Sequence, residues 1–426
     1  MKKINNILLC LIPIADLFSA FSLFSIGSFS FTLSFFLMTL FIVSSFITFI
    51  FDNSPFNKNC VFFACCWLFL LLFAFIANKS STLSSLFLYF FYIVLLFCVF
   101  NTTLKKPSKK FIKAYTFFLF FFNFLGILQF VSQFSGLGYF SLTISNHMTS
   151  GYNTTNLVSI GNSNYYRAHS IYLEPSTLSQ YSVISIVLAY LMLKKARKGK
   201  KAFLFFQILI GALACLLSFS GTGLILLFFS LVFLLFQCKK FKAKPFISTL
   251  IFVVLGISMI GIFINSNISA AFTNRIFEFK TVGSSSYLRF IYPYEILSKV
   301  FSSHFWGYGP GSDGYVIQFF NPGLSYLGYA NSLVTEFSSS WAKIGSELGI
   351  FAILLLISFC FNIYRKSKNV ISKFFVFVFI LSLFLGGGIL GTYMISFLIL
   401  SYYCNRLNFD PNQYIIISKK YALLKI

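Results

Sequence analysis

The sequence predicts an all-α polytopic integral membrane protein with about twelve transmembrane helices and two large extracytoplasmic loops. The chain is 58% hydrophobic and only 10% charged, which is the composition of a membrane protein and not of a soluble core. Its apolar runs reach or approach the roughly 20 residues that a helix needs to cross a bilayer. Helices are expected because they satisfy their own backbone hydrogen bonds in lipid. Two long polar segments interrupt this pattern, so function is to be sought in them.

The predicted transmembrane helices are twelve apolar runs at 7–26, 29–51, 60–77, 82–100, 111–132, 174–193, 202–219, 221–237, 246–265, 346–364, 373–387 and 389–404. Two pairs of runs are nearly continuous, and Gly221-Thr-Gly223 and Gly386-Gly-Gly388 are expected to divide them by tight turns. The predicted organisation is 1–132 for spans one to five, 133–173 for outer loop one, 174–265 for spans six to nine, 266–345 for outer loop two with short helices, and 346–426 for the last three spans and a cytoplasmic tail.

The net charge of +24 is a topology signal. When the spans alternate sides, starting with Lys2 and Lys3 inside, most basic residues fall on inner links, as the positive-inside rule requires. Both termini are then cytoplasmic, both long loops face outward, and nucleic acid is excluded as a partner. The first run is predicted to be a span and not a cleaved signal peptide. The basic residues on the outer side are Lys79, Arg167, Arg275, Lys280, Arg289, Lys299 and Lys343.

The nine cysteines lie in the predicted spans or at their ends. Neither outer loop carries a cysteine, so no disulfide framework is expected outside, and the spacings match no metal site. We therefore expect neither a metal nor another cofactor.

Outer loop one ends in the sequence Arg167-Ala-His-Ser-Ile-Tyr-Leu-Glu174-Pro175-Ser176. Proline followed by Ser/Thr and an apolar run predicts the start of a helix, whose positive end favours an ionised Glu174. The alternative is an ordinary helix start with a stabilising acid. The preceding Asn/Ser/Thr-rich stretch, 145–164, is predicted to be irregular. His169 is interpreted as a hydrogen-bonding surface residue or as a substrate contact.

Outer loop two is about 80 residues long, and loops of this length are usually functional or carry their own helices. Its first part, 274–280, is amphipathic and contains Arg275. A Ser-rich stretch then predicts a helix that begins near Arg289, on which Glu295 and Lys299 are spaced to pair. The turn 305–311 contains three glycines, whose N–H groups suit either a phosphate or a plain structural turn.

Arginines at this surface match the chemistry of a lipid-linked pyrophosphate. The guanidinium group presents a planar fork of donors that pairs bidentately with phosphate oxygens. Converging arginines would stabilise the charge that grows on a departing diphosphate during glycosyl transfer. The alternative is that Arg167, Arg275 and Arg289 anchor the loop ends to lipid headgroups.

With these motifs in this order, the chain resembles the Wzy-type O-antigen and capsular polysaccharide polymerases. The matching features are Arg167 followed by Glu174-Pro-Ser176, the Ser-rich span end 217–223, Arg289 ahead of the Gly307-Tyr-Gly-Pro-Gly311 turn, and Glu347-Leu-Gly349-Ile. The resemblance covers about 160–355 and rests on order and topology, because each motif is degenerate alone.

The resemblance implies a metal-independent glycosyltransferase of the bacterial inner membrane. It would move a growing glycan from undecaprenyl pyrophosphate to the next lipid-linked repeat, alongside a flippase and a chain-length regulator of the same pathway. Arg167 and Arg289 would bind the donor pyrophosphate, and Glu174 would orient Arg167 or the acceptor hydroxyl. The residues expected to contact substrate are Arg275, Tyr287, Tyr292, His169, Gly307, Gly309 and Gly311.

Two other functions compete with this one. O-antigen ligases are similar in topology but carry a His shortly before the glycine pair of the last loop, and this chain has no His after His304. A flippase of lipid-linked oligosaccharides would place charges along a mid-membrane path, whereas Asp16 is the one clear acid within a predicted span. The general base stays open among Glu174, Glu295, Asp313 and His169.

Overall fold

The computed structural model describes residues 2–26, 29–52, 56–102, 109–140, 142, 157–160, 162–193, 196, 198–237, 287, 289, 291–320, 337–386 and 392–407. This part of the chain is mostly helical, and it contains seven helices long and apolar enough to cross a membrane. The prediction of an α-helical membrane protein is thus confirmed, while the exact number of spans stays a prediction.

In the described residues, the bundle is built from a first helix and ten apolar helices that follow it. The first helix, α1, is Lys2–Asp16. The others are α2 Leu33–Asp52, α3 Lys58–Ala77, α4 Leu83–Asn101, α5 Lys109–Ser132, α6 Pro175–Leu193, α7 Lys198–Leu217, α8 Gly221–Gln237, and after the second loop α11 Ser340–Lys366, α12 Val370–Leu385 and α13 Thr392–Arg406. These ten lie within a few residues of predicted runs. The run 246–265 lies outside the described residues.

The predicted first span, 7–26, is wrong. Helix α1 ends at Asp16, and Ser22–Ile26 (β1) pairs antiparallel with Phe29–Thr32 (β2). Hydropathy alone misses this because Phe-Ser-Phe-Thr alternates with the period of a strand and not of a helix. The ring centroids of Phe24 and Phe31 stack 4.8 Å apart across the hairpin.

Outer loop one also holds a hairpin where an irregular stretch was predicted. Leu157–Ile160 (β3) pairs antiparallel with Ser163–Tyr166 (β4). The short strands end at Tyr166, immediately before Arg167.

Helix α6 is the central helix of the bundle, because most of its residues are buried against α5, α7 and α8. The crossing with α8 is close: a Cβ atom on Gly223 would lie 2.3 Å from Ser179 Oγ. The Ser-rich segment 217–223 therefore packs on the first turns of α6, next to Glu174.

Outer loop two contributes two short helices, α9 (Tyr292–Ser303) and α10 (Asp313–Phe320), joined by the glycine turn 305–311. They share a small hydrophobic core in which Ile296, Val300 and Val316 are fully buried. Lys299 Nζ donates to the carbonyl of Phe320 (3.3 Å), which ties the two helices together. The predicted Glu295–Lys299 pairing is replaced here, because Glu295 accepts from Tyr287 Oη (3.1 Å).

Helix α11 is interrupted at Gly349, whose φ is +78°. Ile350 N–H donates to the carbonyl of Phe305 (2.9 Å) and not to the residue four positions back. The carbonyls of Ser346 and Glu347 accept instead from the N–H groups of Tyr308 and Gly309, both at 2.8 Å. The kink thus exchanges backbone hydrogen bonds with the glycine turn, so the N–H of Ile350 and the carbonyls of Ser346 and Glu347 keep partners.

We predict that Gly349→Ala destabilises the protein, because a Cβ atom there would lie 2.3 Å from the carbonyl oxygen of Phe305. Overpacking and the left-handed backbone together should cost about 2–5 kcal/mol. Thermal unfolding in detergent should show a lower Tm and less folded protein.

The matched control is Gly199→Ala in α7, where a Cβ atom meets nothing within 4 Å. That variant should melt at or slightly above the wild-type temperature because alanine favours a helix. Equal Tm values for the two variants would contradict the kink as described.

Candidate functional site

The two outer loops meet at the start of α6. Arg289 Nη2 lies 3.6 Å from Glu174 Oε2, and the two side chains are 16% and 45% exposed. Ser176 Oγ donates to the same carboxylate oxygen (2.7 Å). The first N–H groups of the helix, those of Thr177 and Leu178, donate to the Glu174 carbonyl, so α6 begins where the sequence predicts. A partly exposed ion pair therefore lies at the positive end of a helix.

Arg167 lies on the other side of this segment and contacts the end of α7. Its Nε donates to the carbonyl of Ser218 (2.9 Å) and its Nη2 to that of Phe219 (3.1 Å). The backbone N–H of Ala168 donates to the carbonyl of Leu217 (3.2 Å). These carbonyls follow the last helical turn, where partners are scarce and the helix dipole is negative. Arg167 thus caps α7, a role that the sequence does not reveal because its partners are some 50 residues away.

The turn between α7 and α8 differs from the prediction in its residues. Phe219, at φ +46°, takes the left-handed conformation, and Gly221 already begins α8. Gly223 is needed for the close approach to α6 and not for the turn. One of the two carbonyls that Arg167 contacts thus belongs to a non-glycine residue in the left-handed conformation.

Tyr287 and Tyr292 occupy different environments. Tyr287 is half-buried, and its phenol donates to Glu295 Oε2 (3.1 Å). Partial burial and the neighbouring Glu295 carboxylate raise the pKa of Tyr287, so its hydroxyl stays protonated at neutral pH. Tyr292 is buried in the core of α9 and α10, with its ring 6.3 Å from that of Phe337. This corrects the expectation that Tyr292 contacts substrate, because its side chain is part of a core.

His169 is buried, with 3% of its surface exposed, and this corrects the expectation of a surface histidine. Its Nδ1 bonds the carbonyl of Tyr172 (3.1 Å) and its Nε2 bonds the hydroxyl of Tyr139. Burial lowers the pKa of the ring to about 4, against the opposing effect of its backbone hydrogen bonds. The ring is therefore neutral at pH 7 and fixes the chain between Arg167 and Glu174.

The N–H groups of the glycine turn were expected to contact a phosphate. In the structure they are directed at other groups of the protein. Gly307 N–H donates to the carbonyl of His304 (2.9 Å), and Gly309 N–H donates to that of Glu347. A Cβ atom on Gly311 would lie 2.0 Å from Thr82 Oγ1 at the start of α4. The turn is thus structural, and its glycines are required by positive φ angles and by close packing.

Three charged residues in or next to outer loop two are buried. Lys343 Nζ lies 2.8 Å from Asp313 Oδ2, and both side chains are less than a tenth exposed. Glu347 is fully buried and accepts from Tyr89 Oη (2.6 Å). Asp313, one of the possible general bases, is therefore held in an ion pair. Tyr89 went unnoticed in the sequence because it is embedded in an apolar run.

Arg275 lies outside the described residues. Asp16 is fully buried at the end of α1, where its Oδ2 accepts from Tyr181 Oη on α6 (2.9 Å). The structure thus brings together Arg289, Glu174 and the segment around Arg167, and it places Glu347 with Asp313 and Lys343.

A model of the family described as O-antigen ligase matches residues 206–357, about a third of the chain. The matched segment contains Arg289, the glycine turn and Glu347, and it begins after Arg167 and Glu174. No curated protein matches the chain. The match supports the O-antigen ligase-like superfamily, whose members are glycosyltransferase-like enzymes that act on lipid-linked glycans. It fits a polymerase and a ligase alike, and it lends no support to a flippase.

We predict that His169 makes stability depend on pH. The ordinary pKa of histidine is 6.5, and the folded value is about 4, so the unfolded chain binds a proton that the folded protein excludes. The stabilisation is complete above pH 6.5 and is lost as the pH falls toward 4, by about 3 kcal/mol at most. Thermal unfolding in detergent between pH 7.5 and pH 4.5 measures it.

The control is His169→Gln, which keeps hydrogen-bonding groups and does not titrate. Its Tm should fall less than that of the wild type over the same pH range. Parallel pH dependences in the two proteins would refute the assignment to His169.

Proposed function

We propose that this chain polymerises lipid-linked oligosaccharide repeat units at the outer face of the bacterial inner membrane. It transfers the growing glycan from undecaprenyl pyrophosphate to the next lipid-linked repeat, with both termini in the cytoplasm. The contact between Arg289 and Glu174 carries the proposal, because it joins the two outer loops at one helix start in a chain whose residues 206–357 match the O-antigen ligase family.

Arg289 is placed to bind the donor diphosphate. The guanidinium group has five N–H donors, and Glu174 orients it through one nitrogen while 16% of the side chain remains exposed. A bidentate contact with phosphate would stabilise the negative charge that develops as the sugar leaves. The positive end of the α6 helix dipole would stabilise the same negative charge. With charge stabilisation from these groups, the mechanism needs no metal ion.

Glu174 acts on Arg289 in this scheme, and not on Arg167 or the acceptor hydroxyl as the resemblance implied. Arg167 lies at the end of α7, where its guanidinium group supplies a second positive charge. Tyr287 precedes α9 and its hydroxyl donates to Glu295 Oε2, so the oxygen of this neutral phenol would accept from a sugar hydroxyl.

The second candidate is a ligase that moves finished glycan from the carrier lipid to lipid A-core. The family match is equally consistent with this activity. The chain offers no histidine in the segment before Gly349 that the resemblance to ligases requires, since the last is His304. We therefore rank the polymerase first.

Deletion of the gene separates the two functions by a gel of surface polysaccharide. A polymerase predicts collapse of a long ladder to core plus one repeat. A ligase predicts loss of all repeats from the core while long polymer accumulates on the carrier lipid. An unchanged ladder would reject both.

We predict that Arg289→Ala and Arg167→Ala each reduce polymer about 100-fold or more, because loss of one electrostatic donor typically costs this much. Arg→Lys at either position should also be poor, since the bidentate geometry is lost. Polymer is measured as ladder intensity per amount of protein in the membrane.

The matched control is Lys79→Ala, which removes an exposed cation predicted to face the same side. It should leave the ladder unchanged. Normal ladders in both arginine variants would reject the assigned site, and full activity of Arg289→Lys would indicate simple charge attraction.

A further inference from the structure

A cluster of buried side chains around Glu347 has no part in the proposed glycan transfer. It contains two carboxyl groups and one lysine. Glu347 and Lys343 come from α11, and Asp313 is the first residue of α10. Tyr89, from α4, donates to Glu347 Oε2. Burying charged groups costs free energy because each group loses its hydration, so we expect this cluster to have a role that compensates for the cost.

The charges of this group do not balance if every residue is ionised. Lys343 Nζ lies 2.8 Å from Asp313 Oδ2, and both residues also act electrostatically on Glu347. One cation therefore faces two carboxyl groups in the described surroundings of Glu347. An uncompensated buried negative charge is costly, so one of the carboxyl groups must carry a proton.

Geometry identifies which carboxyl group is neutral. Asp313 has the direct contact with the lysine. Glu347 is fully buried, and its strongest contact is a neutral hydroxyl. The Gly311 N–H is directed at its carboxyl group, but among the described residues Oε1 is without a partner of hydrogen-bond geometry.

Glu347 also lies where the glycine turn joins the helix. Its own carbonyl accepts from Gly309 N–H, and a Cβ atom on Gly307 would lie 2.5 Å from that carbonyl oxygen. Ser80 Oγ and the N–H of Thr82, which precede α4, donate to the carbonyls of Tyr308 and Pro310, both at 2.7 Å. The group thus fastens the turn to α4 and α11. The turn ends α9, and the other end of α9 lies next to Arg289.

We propose that Glu347 is a positioning residue that works in its neutral, protonated form. Together with the Lys343–Asp313 pair it fixes the glycine turn, and through the rigid α9 it sets the place of Arg289 opposite Glu174. This inference rests on the proposed function for its effect on activity, whereas the charge state of Glu347 is testable by stability alone.

The test compares Glu347→Gln, Glu347→Asp and Glu347→Ala in the same strain and in detergent. Gln keeps the length and neutrality of the protonated acid, so we expect a ladder within about twofold of the wild type and an unchanged Tm. Glu347→Ala should reduce the polymer per amount of protein in the membrane at least tenfold. Glu347→Asp, whose side chain is one methylene shorter, should give an amount of polymer between those of Glu347→Gln and Glu347→Ala. Rescue by Gln alone distinguishes a neutral hydrogen-bonding role from a charged one.

A second comparison tests the balance of charge. Lys343→Met leaves two buried carboxyl groups without a cation and should lower the Tm and the amount of folded protein. The double variant Lys343→Met/Asp313→Asn removes the charges of both residues. It should recover part of the lost Tm and part of the lost folded protein. A double variant no better than the single one would overturn the charge assignment.

Two outcomes would overturn the proposal directly. If Glu347→Gln is as inactive as Glu347→Ala at equal protein level, the negative charge is required. If Glu347→Ala keeps a normal ladder and Tm, the residue has no positioning role. Failure of the proposed function would look different: the gene deletion would leave the ladder unchanged, while the order of Tm values among the Glu347 variants would still report the charge state.

Discussion

The requirement that every buried backbone group finds a partner shapes the part of this protein where α9, the glycine turn and α11 meet. Gly349 breaks α11 just below the outer loops, and the freed carbonyls of Ser346 and Glu347 are taken up by the glycine turn. In lipid or in a protein core an unpaired group would cost several kcal/mol, so the kink and the turn exist only together. The position of α9, and with it Arg289, follows from this exchange.

The arginines that looked equivalent in the sequence have different surroundings. Arg289 is oriented by a carboxylate, as expected of a group that binds an anion. Arg167 is oriented by two carbonyl oxygens at a helix end. The first arrangement is a salt bridge between loops, and the second stabilises a helix of the bundle. The two arginines therefore differ in how their guanidinium groups are held, although the sequence context of both suggested the same role.

Much of the fold follows from apolar runs about one membrane thickness long, and ten predicted runs correspond to helices. The β1–β2 hairpin was missed because hydropathy does not distinguish a strand from a helix when both are apolar. The start of α6 was predictable from Glu174-Pro175-Ser176, which is a local signal. The partners of Glu174, Arg167 and Glu347 were not predictable, because each contact joins residues 50 to 260 positions apart and depends on how the helices pack.

The capping of α7 by Arg167 has a consequence for selectivity. A headgroup that recruits this guanidinium must compete with two carbonyls that already hold it in place. An uncharged hydroxyl or a sugar is no better an acceptor than a carbonyl and gains nothing by the exchange. A phosphate oxygen is a stronger acceptor because it is charged. Under the proposed function, the end of α7 would therefore favour an anionic headgroup at Arg167 before any sugar is recognised.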